Sequence, residues 1–258
     1  MCCLFVSLAF SSQRALASDQ FETVRASILP SIETVVLPDF AAYPDVRSRK
    51  SAFFSFLLPM IRHSNDRIRQ DRSLLLALRD DLRTGTTIDA SAVETVGGIG
   101  QRYGVPAVSD LLAQVNALLL RVDVVPESLV LAQAANESGW GTSRFARQGN
   151  NLFGVWCFTP GCGLQPLSRD PGLTHEVARY ESVQESIDHY IHNINTHAAY
   201  RQLRQIRSDS RAGRGAISGL ALAEGLVRYS ARGMDYVREI QQLIRSNNLQ
   251  KFNLGQRV

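Results

Sequence analysis

The stretch Pro126-Glu127-Ser128-Leu129-Val130-Leu131-Ala132-Gln133-Ala134-Ala135-Asn136-Glu137-Ser138-Gly139-Trp140-Gly141 decides how this chain is read. Pro126 suits a first helical position, where its missing N–H would find no partner in any case. Leu129 to Ala132, with Ala134 and Ala135, make the segment apolar almost all round, so the helix is expected to be buried. Gly139 and Gly141 admit backbone angles closed to other residues, and the helix is predicted to stop just after Glu137. One carboxyl group is thereby left at the edge of a cleft. Half-burial disfavours its charged form and keeps a proton available near neutral pH, which is what a general acid needs. The plain alternative, a helix-end partner for an N–H or an arginine, fits the surrounding Gly-Trp-Gly less well.

Nine residues after Thr142 comes Asn151-Leu152-Phe153-Gly154. Together with Ala134-Ala135-Asn136-Glu137-Ser138-Gly139-Trp140-Gly141, this resembles the bacterial glucosaminidase family of the mannosyl-glycoprotein endo-β-N-acetylglucosaminidase kind, and within it the Bax-type branch. The resemblance spans roughly residues 110–247. It implies a mainly helical, α+β, lysozyme-like fold with a small β element. The implied activity is hydrolysis of the β-1,4 bond after N-acetylglucosamine in peptidoglycan, with no cofactor. Breaking that bond requires a proton on the leaving oxygen and stabilisation of positive charge at the sugar carbon. Glu137 is the expected donor. Asn151 and Phe153 resemble the family's groove lining, and Trp140 can stack on a sugar face, although Trp140 and Phe153 suit core packing equally well. Tyr229-Ser-Ala-Arg-Gly-Met-Asp-Tyr236 is similar to the family's late tyrosine motif, without its threonine-aspartate, and implies that Tyr229 lies near the cleaved bond with Tyr236 on the substrate. The family's second carboxylate belongs on a β-lobe that is shortened here. Glu176, ahead of Tyr180, is the best candidate, with Asp170 behind it. The substrate's own acetamido group is the remaining possibility.

Two rivals stand beside hydrolysis. Lytic transglycosylases also use a glutamate in a Glu-Ser context but carry Gly-Leu-Met-Gln where this chain has Asn-Leu-Phe-Gly. A non-catalytic glycan-binding or scaffold protein would keep the groove alone.

Hydrophobic content of 45% and charged content of 20% are ordinary for a globular protein. The net charge is +4, and almost all of the positive charge is arginine, since Lys50 and Lys251 are the two lysines. Arginine suits bidentate contacts, though codon bias yields the same composition. A mildly basic surface favours approach to an anionic wall polymer. Met1 to Phe10 is apolar but too short to span a bilayer, and Ala15-Leu16-Ala17 is a small-x-small cleavage pattern. Residues 1–17 are therefore expected to be a signal peptide, which places the protein in the periplasm or outside the cell. No later apolar run is long enough to insert in a membrane, and no phosphate loop, serine elbow or aromatic-basic nucleic-acid pattern is present.

Residues 18–108 are expected to form a lead-in and helical extension before a catalytic domain at 109–250. Pro59 should kink or break the first helix, and Ile68, Leu75, Leu78 and Leu82 mark one face of an amphipathic helix beyond it. Whether these helices form a separate scaffold or pack on the catalytic part stays open. Thr142 is expected to cap a short turn, residues 155–174 to form a loop, and residues 174–180 a strand. Ser182-Val183-Gln184-Glu185 is a capping box, with further helices at about 197–208, 217–228 and 234–247. In an exported protein Cys157 and Cys162 favour a disulfide over zinc, which would need more ligands than these two and His175. His189, His192 and His197 lack an acidic ligand pattern and are expected to be ordinary helical histidines, so no metal is expected.

Overall fold

The computed structural model describes residues 35–167, 172, 174–213 and 215–253. The expected signal peptide and Asp170 lie outside the described residues. After a 3-10 turn at Phe40–Ala42 come the helices α1 (Val46–Thr84), α2 (Ala90–Tyr103), α3 (Leu111–Arg121), α4 (Glu127–Ser138) and α5 (Arg144–Gly149). The strands β1 (Trp156–Cys157), β2 (Gly163–Leu164) and β3 (Glu176–Ala178) follow. The chain then forms α6 (Val183–Thr196), a 3-10 turn at Ala198–Tyr200, α7 (Arg201–Ala212), α8 (Gly219–Leu222), a 3-10 turn at Ala223–Leu226, α9 (Met234–Ser246) and a last 3-10 turn at Leu249–Phe252. The architecture is mainly helical α+β with one small β element, as the sequence implies.

α4 is buried along almost its whole length, with α1, α8, α9 and the Leu249–Phe252 turn packed around it. α1 also packs on α3 and α6. Phe53, Leu57 and Ile61 of α1 share one continuous hydrophobic core with Leu129 of α4 and Ile240 of α9. The N-terminal helix α1 thus shares one core with the helices around α4 rather than standing apart from them.

Pro59 neither breaks nor ends α1, which runs through it for 39 residues. The proline leaves the Ser55 carbonyl without its helical partner, but both residues are exposed, so water can donate to that oxygen. A proline in a helix interior costs about 3 kcal/mol. Burying Phe53, Leu57, Met60 and Ile61 on either side returns roughly 1.5–3 kcal/mol each and outweighs it.

Asp123, just ahead of α4, is a second tie between layers. Its carboxylate accepts hydrogen bonds from Arg211 at 2.8 and 3.1 Å and lies 3.5 Å from Arg72 of α1 and 3.9 Å from Arg207 of α7. Burial pushes this carboxyl up, yet Arg211, Arg207 and Arg72 outweigh it and hold it below the usual carboxylate range. Arg207, fully buried, also donates to the carbonyls of Leu120 and Arg121 at the end of α3.

The β element is larger than the single strand expected. β3 pairs antiparallel with both neighbours in the order β1-β3-β2, with Cys157 opposite Glu176 and Leu164 opposite Val177. Two-residue strands carry no periodicity, so the sequence shows them as loop. Ser143 rather than Thr142 caps α5, accepting from the Ala146 N–H at 3.2 Å. The expected helix at 217–228 is two short turns, Gly219–Leu222 and Ala223–Leu226. The Ser182 cap of α6 is as expected, with Glu185 reaching back to the Glu181 N–H. Among the described residues no helix is long and apolar enough to cross a membrane.

Candidate active site

The end of α4 is shaped by three successive left-handed residues, Gly139 (φ 57°), Trp140 (φ 62°) and Gly141 (φ 77°). The Trp140 N–H closes on the Ala135 carbonyl at 2.9 Å, and the Ser138 hydroxyl donates to the Ala134 carbonyl while accepting from the Gly141 N–H. A Cβ at Gly141 would lie 2.6 Å from the Phe40 ring. A left-handed tryptophan costs about 1–2 kcal/mol. Its edge-on contacts with Phe53 and Phe54 of α1, at 5.8 and 5.5 Å, offset that strain. The turn stops the helix immediately beyond Glu137 and leaves that side chain half-buried.

Asn136 donates to Glu137 Oε1 at 3.3 Å, and Glu137 Oε2 lies 3.8 Å from where a Cβ on Gly154 would stand. The last residue of Asn151-Leu152-Phe153-Gly154 therefore faces the carboxyl group with nothing larger than hydrogen. Burial pushes Glu137 above the ordinary carboxyl range, Tyr236 and Asn136 pull it back by hydrogen bonding to the charged form, and Glu239 pushes it up further. Tyr236, from α9, is almost fully buried and also accepts from Gln133 Nε2 at 2.9 Å. The Tyr190 hydroxyl of α6 donates to Gln133 Oε1. The Tyr229 ring stacks on Tyr236 at 5.3 Å, and its hydroxyl donates to the Phe153 carbonyl at 2.9 Å. A half-buried acid, a donor onto its carboxylate and an open flank at Gly154 are the parts of a proton-donating site.

Residues 112–249 match the family model described as mannosyl-glycoprotein endo-beta-N-acetylglucosaminidase, Glucosaminidase for short. The chain belongs to the glucosaminidase family. Its class of chemistry is accordingly glycoside hydrolysis. Protein bax of Escherichia coli (strain K12) is 34% identical over 207 residues, covering 80% of this chain and 72% of that protein. The catalytic domain of the autolysin Auto from Listeria monocytogenes is similar at a TM-score of 0.43 and 16% identity, over 91% of this chain and 97% of that one.

Within this member of the family the residues singled out from the sequence separate into two groups. Glu137, Tyr236 and Tyr229 come together at the end of α4, with Tyr236 buried against Gln133 beside the acid rather than exposed to a ligand. Asn151 and Phe153 turn inward, against the expectation that their side chains line the groove. Asn151 Nδ2 donates to the carbonyls of Val155 and Ala178, and its Oδ1 accepts from the N–H groups of Phe153 and Val155, which occupies every hydrogen bond an amide side chain can make. Phe153 is stacked on Tyr190 at 4.0 Å within the core. Trp140 likewise packs on α1, with the Lys50 ammonium 4.7 Å over its ring.

Cys157 and Cys162 form a disulfide, with Cα atoms 6.2 Å apart. Glu176 lies beside it and accepts from the N–H groups of Gly161 and Gly163 at 3.1 and 2.8 Å, holding the hairpin that the disulfide closes. His175 stacks on Trp156. His189 shares a hydrogen bond with the Tyr180 hydroxyl, His192 lies against the Tyr103 ring, and His197 accepts from the Ala199 N–H. Sequence reasoning missed Gln133, Tyr190, Glu239 and Arg232. Gln133 alone left a signal, as a polar side chain in an apolar run, four residues and so one helical turn before Glu137.

Proposed function

We propose that this protein hydrolyses the β-1,4 bond after N-acetylglucosamine in peptidoglycan, with Glu137 as proton donor. The observation that carries this reading is the half-buried Glu137 carboxyl beside Gly154, pushed up by burial and held by Tyr236 and Asn136. Such a group keeps its proton above the pH at which an exposed glutamate loses it, and it can give that proton to the leaving oxygen as the C–O bond breaks. The carboxylate of Glu176 already receives two backbone N–H groups of the hairpin. That favours the substrate's acetamido oxygen as the nucleophile, which closes onto the sugar carbon. Glu137, now a carboxylate, then takes a proton from the water that opens the ring. No step requires a cofactor.

The reading extends to peptidoglycan strands as partner and to the periplasm or cell exterior as location. The disulfide supports an oxidising compartment. The net charge of +4 supports approach to an anionic polymer. A zymogram on purified peptidoglycan tests the reading: clearing by the unmutated protein is expected, and its absence would favour a non-catalytic glycan-binding or scaffold role.

A further inference from the structure

Gln133 is fully buried on α4, one helical turn before Glu137. A buried amide without partners costs free energy, and this one has a partner at each end. Tyr190 donates its hydroxyl to Oε1, and Nε2 donates to the Tyr236 oxygen at 2.9 Å. A hydroxyl that receives an N–H turns its own proton away from that donor. Gln133 and Glu137 lie one turn apart on the same face of α4, so the Tyr236 oxygen held by Gln133 sits on the side of Glu137, and the Glu137 carboxylate is the acceptor its proton is turned toward. The chain of hydrogen bonds thus has one direction, from Tyr190 through Gln133 to Tyr236, and leaves the Tyr236 proton for Glu137. Reversing the amide would present an oxygen to Tyr236 and draw its proton away from the acid.

We propose that Gln133 is a positioning residue for the acid: gripped by Tyr190 from α6, it locks Tyr236 as a hydrogen-bond donor to Glu137. The proposal rests on Glu137 being the proton donor. As Glu137 releases its proton, negative charge develops on its carboxyl group, and a donor aimed there in advance stabilises that charge without reorganisation. Burial pushes the Tyr236 hydroxyl far up, with the Glu137 charge adding to it, so Tyr236 keeps the proton it donates. The titratable and charged groups around Glu137 are Tyr236 and Glu239 of α9, Arg232 before it, Tyr229, Tyr200 and Tyr190. Of these, Tyr236 has its hydroxyl fixed beside the acid, 2.9 Å from Gln133 on the face of α4 that carries Glu137.

The test is kcat and KM on soluble peptidoglycan fragments across pH, with thermal unfolding alongside. Gln133→Met keeps the bulk and removes both hydrogen bonds. Losing a donor favours the protonated acid, so the basic limb of kcat/KM is expected to move up by about one pH unit, with kcat down about 10-fold and KM unchanged. Tyr190→Phe keeps the ring stack on Phe153 and removes only the hydroxyl that grips Gln133, so a smaller shift in the same direction is expected. Lower stability with an unmoved limb would make Gln133 a packing residue and overturn the proposal. If Gln133→Met fails to fold, Tyr190→Phe decides alone, and an unmoved limb there overturns it. Full activity in Glu137→Gln would instead remove the acid assignment itself, whereas an inactive Glu137→Gln keeps that assignment whatever Gln133 shows.

Discussion

Replacing Asn151 by alanine separates a sugar contact from a structural bracket. The side chain makes four hydrogen bonds, two to the backbone of Val155 and one each to Phe153 and Ala178, and these hold the segment that brings Gly154 to Glu137. Each net bond is worth about 1 kcal/mol, and the buried backbone groups left without partners lose their compensation as well. Allowing for water reaching the less buried Val155 groups, Asn151→Ala is expected to cost about 3–4 kcal/mol. In a protein of this size that corresponds to a fall in Tm of roughly 6–16 °C. The assay is thermal unfolding by circular dichroism together with steady-state kinetics on peptidoglycan fragments. A loss of stability with kcat falling more than KM rises is the expected outcome. An unchanged Tm with a raised KM would refute the bracket and restore Asn151 as a glycan ligand.

Tyr229→Phe removes a hydroxyl whose partner is the Phe153 carbonyl, so kcat is expected to fall about 5-fold, the worth of one hydrogen bond, with glycan binding retained; an intact turnover number would make Tyr229 a packing residue. Asp123→Asn leaves Arg207 buried without its counter-charge and is expected to cost about 3–5 kcal/mol in urea unfolding at neutral pH. Because the Asp123 carboxyl is held below its ordinary range, its contribution is present above the unfolded pKa of about 4 and is lost as pH falls through the lower folded value. The difference between wild type and variant should therefore shrink in acid, and a gap that stays constant down to pH 2 would contradict the ion cluster.

The helices around the site were legible because their signals are local. An apolar run ending in Ser138-Gly139 marks α4 and its stop, and Ser182 with Glu185 marks the start of α6. Pro59 misled because the balance there is tertiary, with core burial on both sides of an exposed proline. β1 and β2 escaped because two residues show no alternation. At the candidate site, the half-buried position of Glu137 at the end of α4 was legible from its glycine-rich surroundings. The inward turn of Asn151 and Phe153 was not, because polarity and aromaticity do not say which way a side chain points. The Tyr190–Gln133–Tyr236 chain joins residues up to 103 positions apart, and no single-sequence spacing rule reaches that far.

Two proposals carry the function, Glu137 as the proton donor and hydrolysis of the bond after N-acetylglucosamine. Mass spectrometry of peptidoglycan digested by the unmutated enzyme and by Glu137→Gln tests both together. Glutamine keeps the shape of the groove but cannot protonate the leaving oxygen, so product from the variant is expected to fall at least about 100-fold. The unmutated enzyme should leave fragments that end in reducing N-acetylglucosamine and are one water heavier than fragments of the same sugar composition that a transglycosylase leaves with 1,6-anhydro-muramic ends. Anhydro products would contradict hydrolysis while sparing Glu137, and undiminished product from the glutamine variant would contradict Glu137 as the acid.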